Sequence, residues 1–109
     1  MADTYKTLAQ SNPAATTLTD AYTVPAATSA IVSSITIANR SATATSFRIS
    51  VAIAGAADAN PQYIAFDVAI GGNESIALTL GITLAATDVV RVYATLATLS
   101  FNIFGVEKT

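Results

Sequence analysis

The chain has 109 residues, 52% of them hydrophobic and only 11% charged, with no cysteine and no histidine. That length makes one domain, and the missing residue types exclude a disulfide framework and a Cys/His metal centre. The net charge of −2 comes from five scattered basic and seven acidic residues, which argues against the clustered basic face that nucleic acid requires.

No stretch of about 20 apolar residues exists, so a membrane helix is excluded. Alternating segments are too few for an outer-membrane barrel. Met1–Lys6 lacks the basic start and apolar run of a secretory signal, so synthesis in the cytoplasm is expected. An isolated soluble domain often carries ~25–35% charged residues on its surface. A chain this poor in charge is expected to lay much of its surface against other subunits.

In chain order, residues 1–20 are polar, rich in Ala and Thr, and weakly periodic, with a break at Ser11-Asn12-Pro13. They read as an extended N-terminal arm that either packs on its own domain or reaches a neighbour. Residues 21–109 read as the folded domain. Ala21–Val24 is a short strand stopped by Pro25, which belongs at an edge or strand end. Ser29–Ala38 follows, with Ile31, Ile35 and Ile37 on one face.

Ser46–Ile53 is the stretch around which the rest is organised. Phe47, Ile49, Val51 and Ile53 alternate with Ser46, Arg48, Ser50 and Ala52, a strict period of two. The turn-rich Asn39–Thr43 segment predicts a hairpin between these two strands. After the small-residue loop 54–61, Gln62–Ile70 places Ile64, Phe66, Val68 and Ile70 inward. Gly71-Gly72-Asn73 predicts a tight reversal through positive φ at glycine. Glu74–Leu80 is ended by Gly81. Asp88–Leu96 carries Val90, Val92, Ala94 and Leu96 on one side, with Val89, Arg91 and Tyr93 on the other. Thr98–Val106 closes the domain, with Leu99, Phe101 and Ile103 inward and Phe104 outward.

The expectation is an all-β protein: a single antiparallel β-sandwich, jelly-roll-like, of about seven or eight strands with an extended N-terminal arm. Phe47, Ile49 and Phe66 are expected core positions.

Catalysis finds no footing. The seven carboxylates lie mostly in turns or at outward positions, with no partner group to split their pKa values. Asp58 and Asn60 lack the dense acidic loop of a calcium site. Asn39-Arg40-Ser41 and Asn73-Glu74-Ser75 match the glycosylation acceptor pattern, but both lie at turns where these residues are common. No cofactor is expected. Outward tyrosines are candidates for sugar stacking, as in a lectin, or for cross-strand and interface packing.

Two stretches carry a resemblance. One is Tyr22-Thr23-Val24-Pro25-Ala26 followed by Thr28 to Arg40. The other is Leu78 to Leu84 followed by Thr87-Asp88-Val89-Val90-Arg91-Val92-Tyr93-Ala94. Together they resemble small virion structural proteins of tailed bacteriophages. In that group a YTVPA strand leads into a strand ending in NR, and an L-x-x-x-D-x-V-x-V turn leads into a late strand. The resemblance spans nearly the whole chain, from Tyr5 to Glu107. Thr87-Asp88 stands where that turn more commonly reads Gly-Asp, so no positive φ is expected at 87.

The resemblance implies a non-enzymatic structural protein of the virion, made in the host cytoplasm. The first expectation is a capsid decoration (cement) protein that binds the major capsid protein. The second is a tail, baseplate or fibre component. Outside that class stands a carbohydrate-binding module. A homo-oligomer is expected, a trimer first and a dimer second, with neither nucleic acid nor membrane as partner. The contact candidates are Tyr5, Leu8, Tyr22, Tyr63, Tyr93 and Phe104.

Overall fold

The computed structural model describes residues 2–109; Met1, the first residue of the expected arm, lies outside them. Eight strands follow one another: β1 (Asp3–Ser11), β2 (Thr19–Thr23), β3 (Ser29–Asn39), β4 (Thr45–Ala52), β5 (Tyr63–Ile70), β6 (Ser75–Leu84), β7 (Val89–Ala94) and β8 (Leu99–Lys108). Sheet A has the order β1-β8-β3-β6 and sheet B the order β2-β7-β4-β5. Every strand ladder is antiparallel. The chain is one long hairpin in which β4 meets β5, β3 meets β6, β2 meets β7 and β1 meets β8. It is wrapped so that β3 also pairs β8 and β4 also pairs β7, which is jelly-roll winding.

The core lies between the sheets. Ile35 and Ile37 of β3, Phe47 and Ile49 of β4, Val90 and Val92 of β7, and Leu99, Phe101 and Ile103 of β8 are fully buried. Phe47 and Phe101 meet edge to face across the sheets, with ring centroids 6.0 Å apart. These residues point inward as their alternation predicts.

Alternation misleads where a ladder takes an extra residue, because one added residue turns every later side chain to the other face. On β5, Phe66 and Asp67 together oppose Arg48, since Val68 pairs Phe47 and Ala65 pairs Ile49. Asp67 takes φ 51° at this bulge. Phe66, expected in the core, is therefore 55% exposed on the outer face, and Ile64 is exposed beside it. A shift between Val32 and Ser34 likewise puts Ala30 and Val32 in the core and sends Ile31 outward. Ile53 lies past the end of β4, in a short 3-10 turn, and is 76% exposed.

The two expected hairpins are corners of the sandwich. The segment after Asn39 carries the chain from sheet A to sheet B, so β3 and β4 do not pair. The Gly71–Glu74 turn carries it back, so β5 and β6 do not pair either. Positive φ at the second corner falls on Asn73 (56°), not on the glycines. Gly72 is needed for closeness: a Cβ there would lie 2.0 Å from the Ala42 carbonyl oxygen. Gly81 does not stop β6, which runs on to Leu84. Thr87, expected in ordinary backbone, has φ 71°.

The segment expected as an arm is built into the sandwich. It supplies β1, paired along β8, and the first residues of β2. Only weak periodicity announced β1, because this edge strand buries none of its side chains completely.

One buried polar side chain ties each end. At one end the Asn39 amide donates to the Thr43 carbonyl (2.8 Å) and the Gly71 carbonyl (3.1 Å), and accepts from the Ser41 amide and the Thr98 hydroxyl. The acceptor-like Asn39-Arg40-Ser41 is thus a structural knot. At the other end the Asp88 carboxylate accepts from the Ala54 and Ala85 amides, each at 2.9 Å.

Candidate interaction surfaces

Sheet B presents its outer face through the even positions of β4 and their partners. Arg48 pairs Tyr93 of β7 in register, and the β5 bulge turns Phe66 to the same side. The Arg48 guanidinium carbon lies 4.1 Å from the Phe66 ring centroid and 4.5 Å from that of Tyr93. Its Nε donates to Asp67 Oδ1 at 2.6 Å and its Nη2 to Oδ2 at 3.3 Å. A cation held between two ring faces and a carboxylate is an ordered group rather than a solvated side chain. Tyr63 meets Phe66 edge to face at 5.1 Å and donates its hydroxyl to Asp58 at 3.1 Å. Burial and the Asp58 bond push the Tyr63 hydroxyl above its ordinary pKa, which keeps it a donor. Beside this cluster lies a shallow hollow of about 350 Å³ lined by Asn60, Tyr63 and Phe66.

Further along the same face, Arg91 fastens the loop 53–62. It donates to the Ala56 carbonyl (2.8 Å), the Gly55 carbonyl (3.2 Å) and Asp20 (2.9 Å). Ser50, its register partner, is fully buried although it shares the outward parity of Arg48.

Sheet A differs. Its outer face is made of rows that cross the sheet, each read from the ladder register. Tyr5, Val106, Ile31 and Thr83 form one row. Thr7, Phe104, Ser34 and Thr79 form the next, then Gln10, Asn102, Thr36 and Ala77, and last Ser100, Ala38 and Ser75. None of these residues is Asp, Glu, Lys or Arg. Beyond these rows, Lys108 and Asp3 face each other at 4.0 Å at one end, and Arg40 follows β3 at the other.

The six contact candidates scatter over this frame. Tyr63 and Tyr93 come together around Arg48. Tyr5, 80% exposed, and Phe104 stand on the outer face of sheet A. Leu8 is half-buried and packs on the core. Tyr22 is no surface residue: it is buried, and its hydroxyl donates to Glu107 at 2.6 Å. Glu107 also takes Lys6 at 2.9 Å. The Tyr22 hydroxyl, then Lys6, hold the Glu107 carboxyl below its ordinary value. Burial first, then the Glu107 bond, push the Tyr22 phenol well above its own. Sequence reasoning missed Phe66 and Arg48 as contact residues. Arg48 was legible as outward; Phe66 was hidden by the bulge.

Among the described residues no group of three Asp or Glu gathers to hold a metal ion. Asp3, Asp20, Asp67 and Glu107 sit in ion pairs, Asp58 and Asp88 in hydrogen bonds, and Glu74 is exposed. No family model and no curated protein matches the sequence.

Proposed function

We propose that this chain is a non-enzymatic structural protein of a tailed-phage particle, and that it acts as a capsid decoration protein on the major capsid protein lattice. The observation that carries the reading is the outer face of sheet A, where four successive rows hold no charged side chain. Low charge lowers the desolvation cost of covering a surface. The cations are spent within the molecule: Lys6, Arg48, Arg91 and Lys108 each face a carboxylate, and Arg40 donates to the Ala97 carbonyl. The resemblance of the Tyr22–Arg40 and Leu78–Ala94 stretches to phage structural proteins supplies the particle. The test is co-sedimentation with emptied capsids stripped of the protein. Saturable rebinding is expected; binding to tails in its place moves the role to a tail, baseplate or fibre component.

A second reading has its own observation. The Arg48 cluster offers an exposed aromatic platform, Phe66 with Tyr63, beside Asp58, Asp67 and Asn60. Aromatic faces with amide and carboxylate acceptors are what a sugar ring needs. Glycan binding that is saturable and lost in Phe66→Ala would make the domain a carbohydrate-binding module.

A further inference from the structure

A sandwich of two open sheets has four edge strands, and each exposes a row of main-chain donors and acceptors. Three of the four are blunted. β1 carries Asp3 and Lys6 and shifts register at Leu8. β2 is five residues long, carries Asp20, shifts register at Ala21 and is followed by Pro25. β5 carries Asp67 in a bulge, with a second shift beside it.

β6 has little such protection. Its ten residues, Ser-Ile-Ala-Leu-Thr-Leu-Gly-Ile-Thr-Leu, include no charge and no proline. Its one irregularity lies near Gly81, opposite the Val32/Ser34 shift, which leaves Ser75–Thr79 in unbroken register with β3. Among the described residues β3 is its only ladder partner, and no main-chain bond ties residues 75–84 to anything else. Ile76, Leu78, Leu80 and Ile82 are only partly buried along this edge. A long, uncharged, apolar edge is what other proteins avoid exposing.

We infer that β6 is the site of self-association: a second copy of this chain pairs its own β6 antiparallel against it across a two-fold axis near residues 77–79. Three features favour a copy of the chain over an unlike strand. An antiparallel strand is self-complementary in its hydrogen bonds under a two-fold axis. No like charges meet, because the nearest charge, Glu74, falls opposite a position between 80 and 84 of the partner strand. The third feature is area. Four rows about 7 Å apart over four strands about 4.8 Å apart give the uncharged face of sheet A roughly 500 Å². A standard interface takes about 800 Å² from each partner. Joining two sheets A edge to edge makes one eight-stranded sheet whose uncharged face is about twice as large. This third argument rests on the capsid reading; the edge chemistry does not. The pairing replaces the expected trimer with a dimer.

Sedimentation equilibrium of the purified chain over a wide concentration range tests it. A monomer–dimer equilibrium is expected for the native chain. Thr79→Lys, at an exposed position of β6, should shift it to monomer while the far-ultraviolet circular dichroism stays as it was, and so should the urea midpoint measured at concentrations where both proteins are monomeric. Thr7→Lys, the same change on the opposite edge of the same sheet, should leave the dimer intact. A native chain that stays monomeric, a trimer, or a dimer indifferent to Thr79→Lys overturns the inference. A dimer that dissociates with Thr79→Lys yet ignores emptied capsids sustains the pairing and removes the capsid reading alone.

Discussion

The outer faces of the two sheets share one core and one alternation of residues, yet they are opposites. Sheet B ties its outward side chains to one another: Arg48 to Phe66, Tyr93 and Asp67, and Arg91 to Asp20 and the loop 53–62. Sheet A leaves its outward Thr, Ser, Ala and Asn largely without ties, apart from Gln10 to Asn102 at 2.8 Å and the Ser33 hydroxyl to the Phe104 carbonyl at 3.1 Å. A face whose polar groups bond each other is finished by the fold. A face without charged side chains costs less to dry, and under the capsid reading it is the face left for a partner. The difference teaches that function is to be sought where the molecule makes fewest contacts with itself, and it can be broken or sharpened by mutation.

The largest contrast lies within sheet B, between Phe47 and Phe66. They stand on neighbouring strands and on opposite faces. Phe47→Ala should cost about 3–5 kcal/mol in the urea unfolding free energy, since a fully buried ring leaves a cavity. Phe66→Ala should change it by about 0.5 kcal/mol or less, while removing the platform beside Arg48. Equal losses would mean that the bulge at Asp67 is absent and that Phe66 belongs to the core after all.

That pair also marks what could be read from the chain. The period of two identified the sheet residues correctly wherever a ladder is unbroken, as in β8 with Leu99, Phe101 and Ile103. It failed at Phe66 and Ile31 because a bulge inverts the alternation without altering the residues that alternate. The corners after Asn39 and at Gly71 were legible as turns. Whether a turn joins two strands of one sheet or crosses between sheets depends on what the strands pack against, which turn chemistry does not encode. Of the candidate surfaces, Tyr63 and Tyr93 were in view and their meeting at Arg48 was not, because it is set by register between distant strands. The charge-poor composition was in view from the start; the uncharged rows of sheet A follow from the ladder register, in which Lys6 and Glu107 alternate with the outward positions and Asp3 and Lys108 fall at one end.

Arg91 offers the next test, of how firmly sheet B's face is closed. Its guanidinium is mostly buried, and it gives charged hydrogen bonds to two loop carbonyls. Arg91→Ala should cost about 1.5–3 kcal/mol and open the loop 53–62 to limited proteolysis. A loop that stays protected would show that Ala54 bonded to Asp88 holds it unaided.

Tyr22 and Glu107 join β2 of sheet B to β8 of sheet A. Tyr22→Phe should cost about 1.5–3 kcal/mol at neutral pH, the usual worth of a hydrogen bond to a charged group. Because the folded Glu107 carboxyl lies below its ordinary value near 4.5, this stability is present above that pH and is lost as pH falls through the depressed value. The gap between native and Tyr22→Phe proteins should therefore narrow in acid. A gap that stays constant as the solution is acidified would mean that the hydroxyl acts by packing alone.

The smallest effect on stability carries the most about function. Thr36 lies mid-face on sheet A, between Asn102 and Ala77. Thr36→Lys should change the unfolding free energy by about 0.5 kcal/mol or less, because its ammonium reaches water on the outer face. Pressed against a capsid the same ammonium must be dried without a partner, so binding to emptied capsids should weaken by roughly tenfold or more. Phe66→Ala, on the other face, should leave capsid binding as it was. If Phe66→Ala weakens attachment and Thr36→Lys does not, the two faces exchange roles: sheet B becomes the docking side, with Arg48, Tyr93 and Phe66 at its centre, and the uncharged face of sheet A becomes the side turned to solvent.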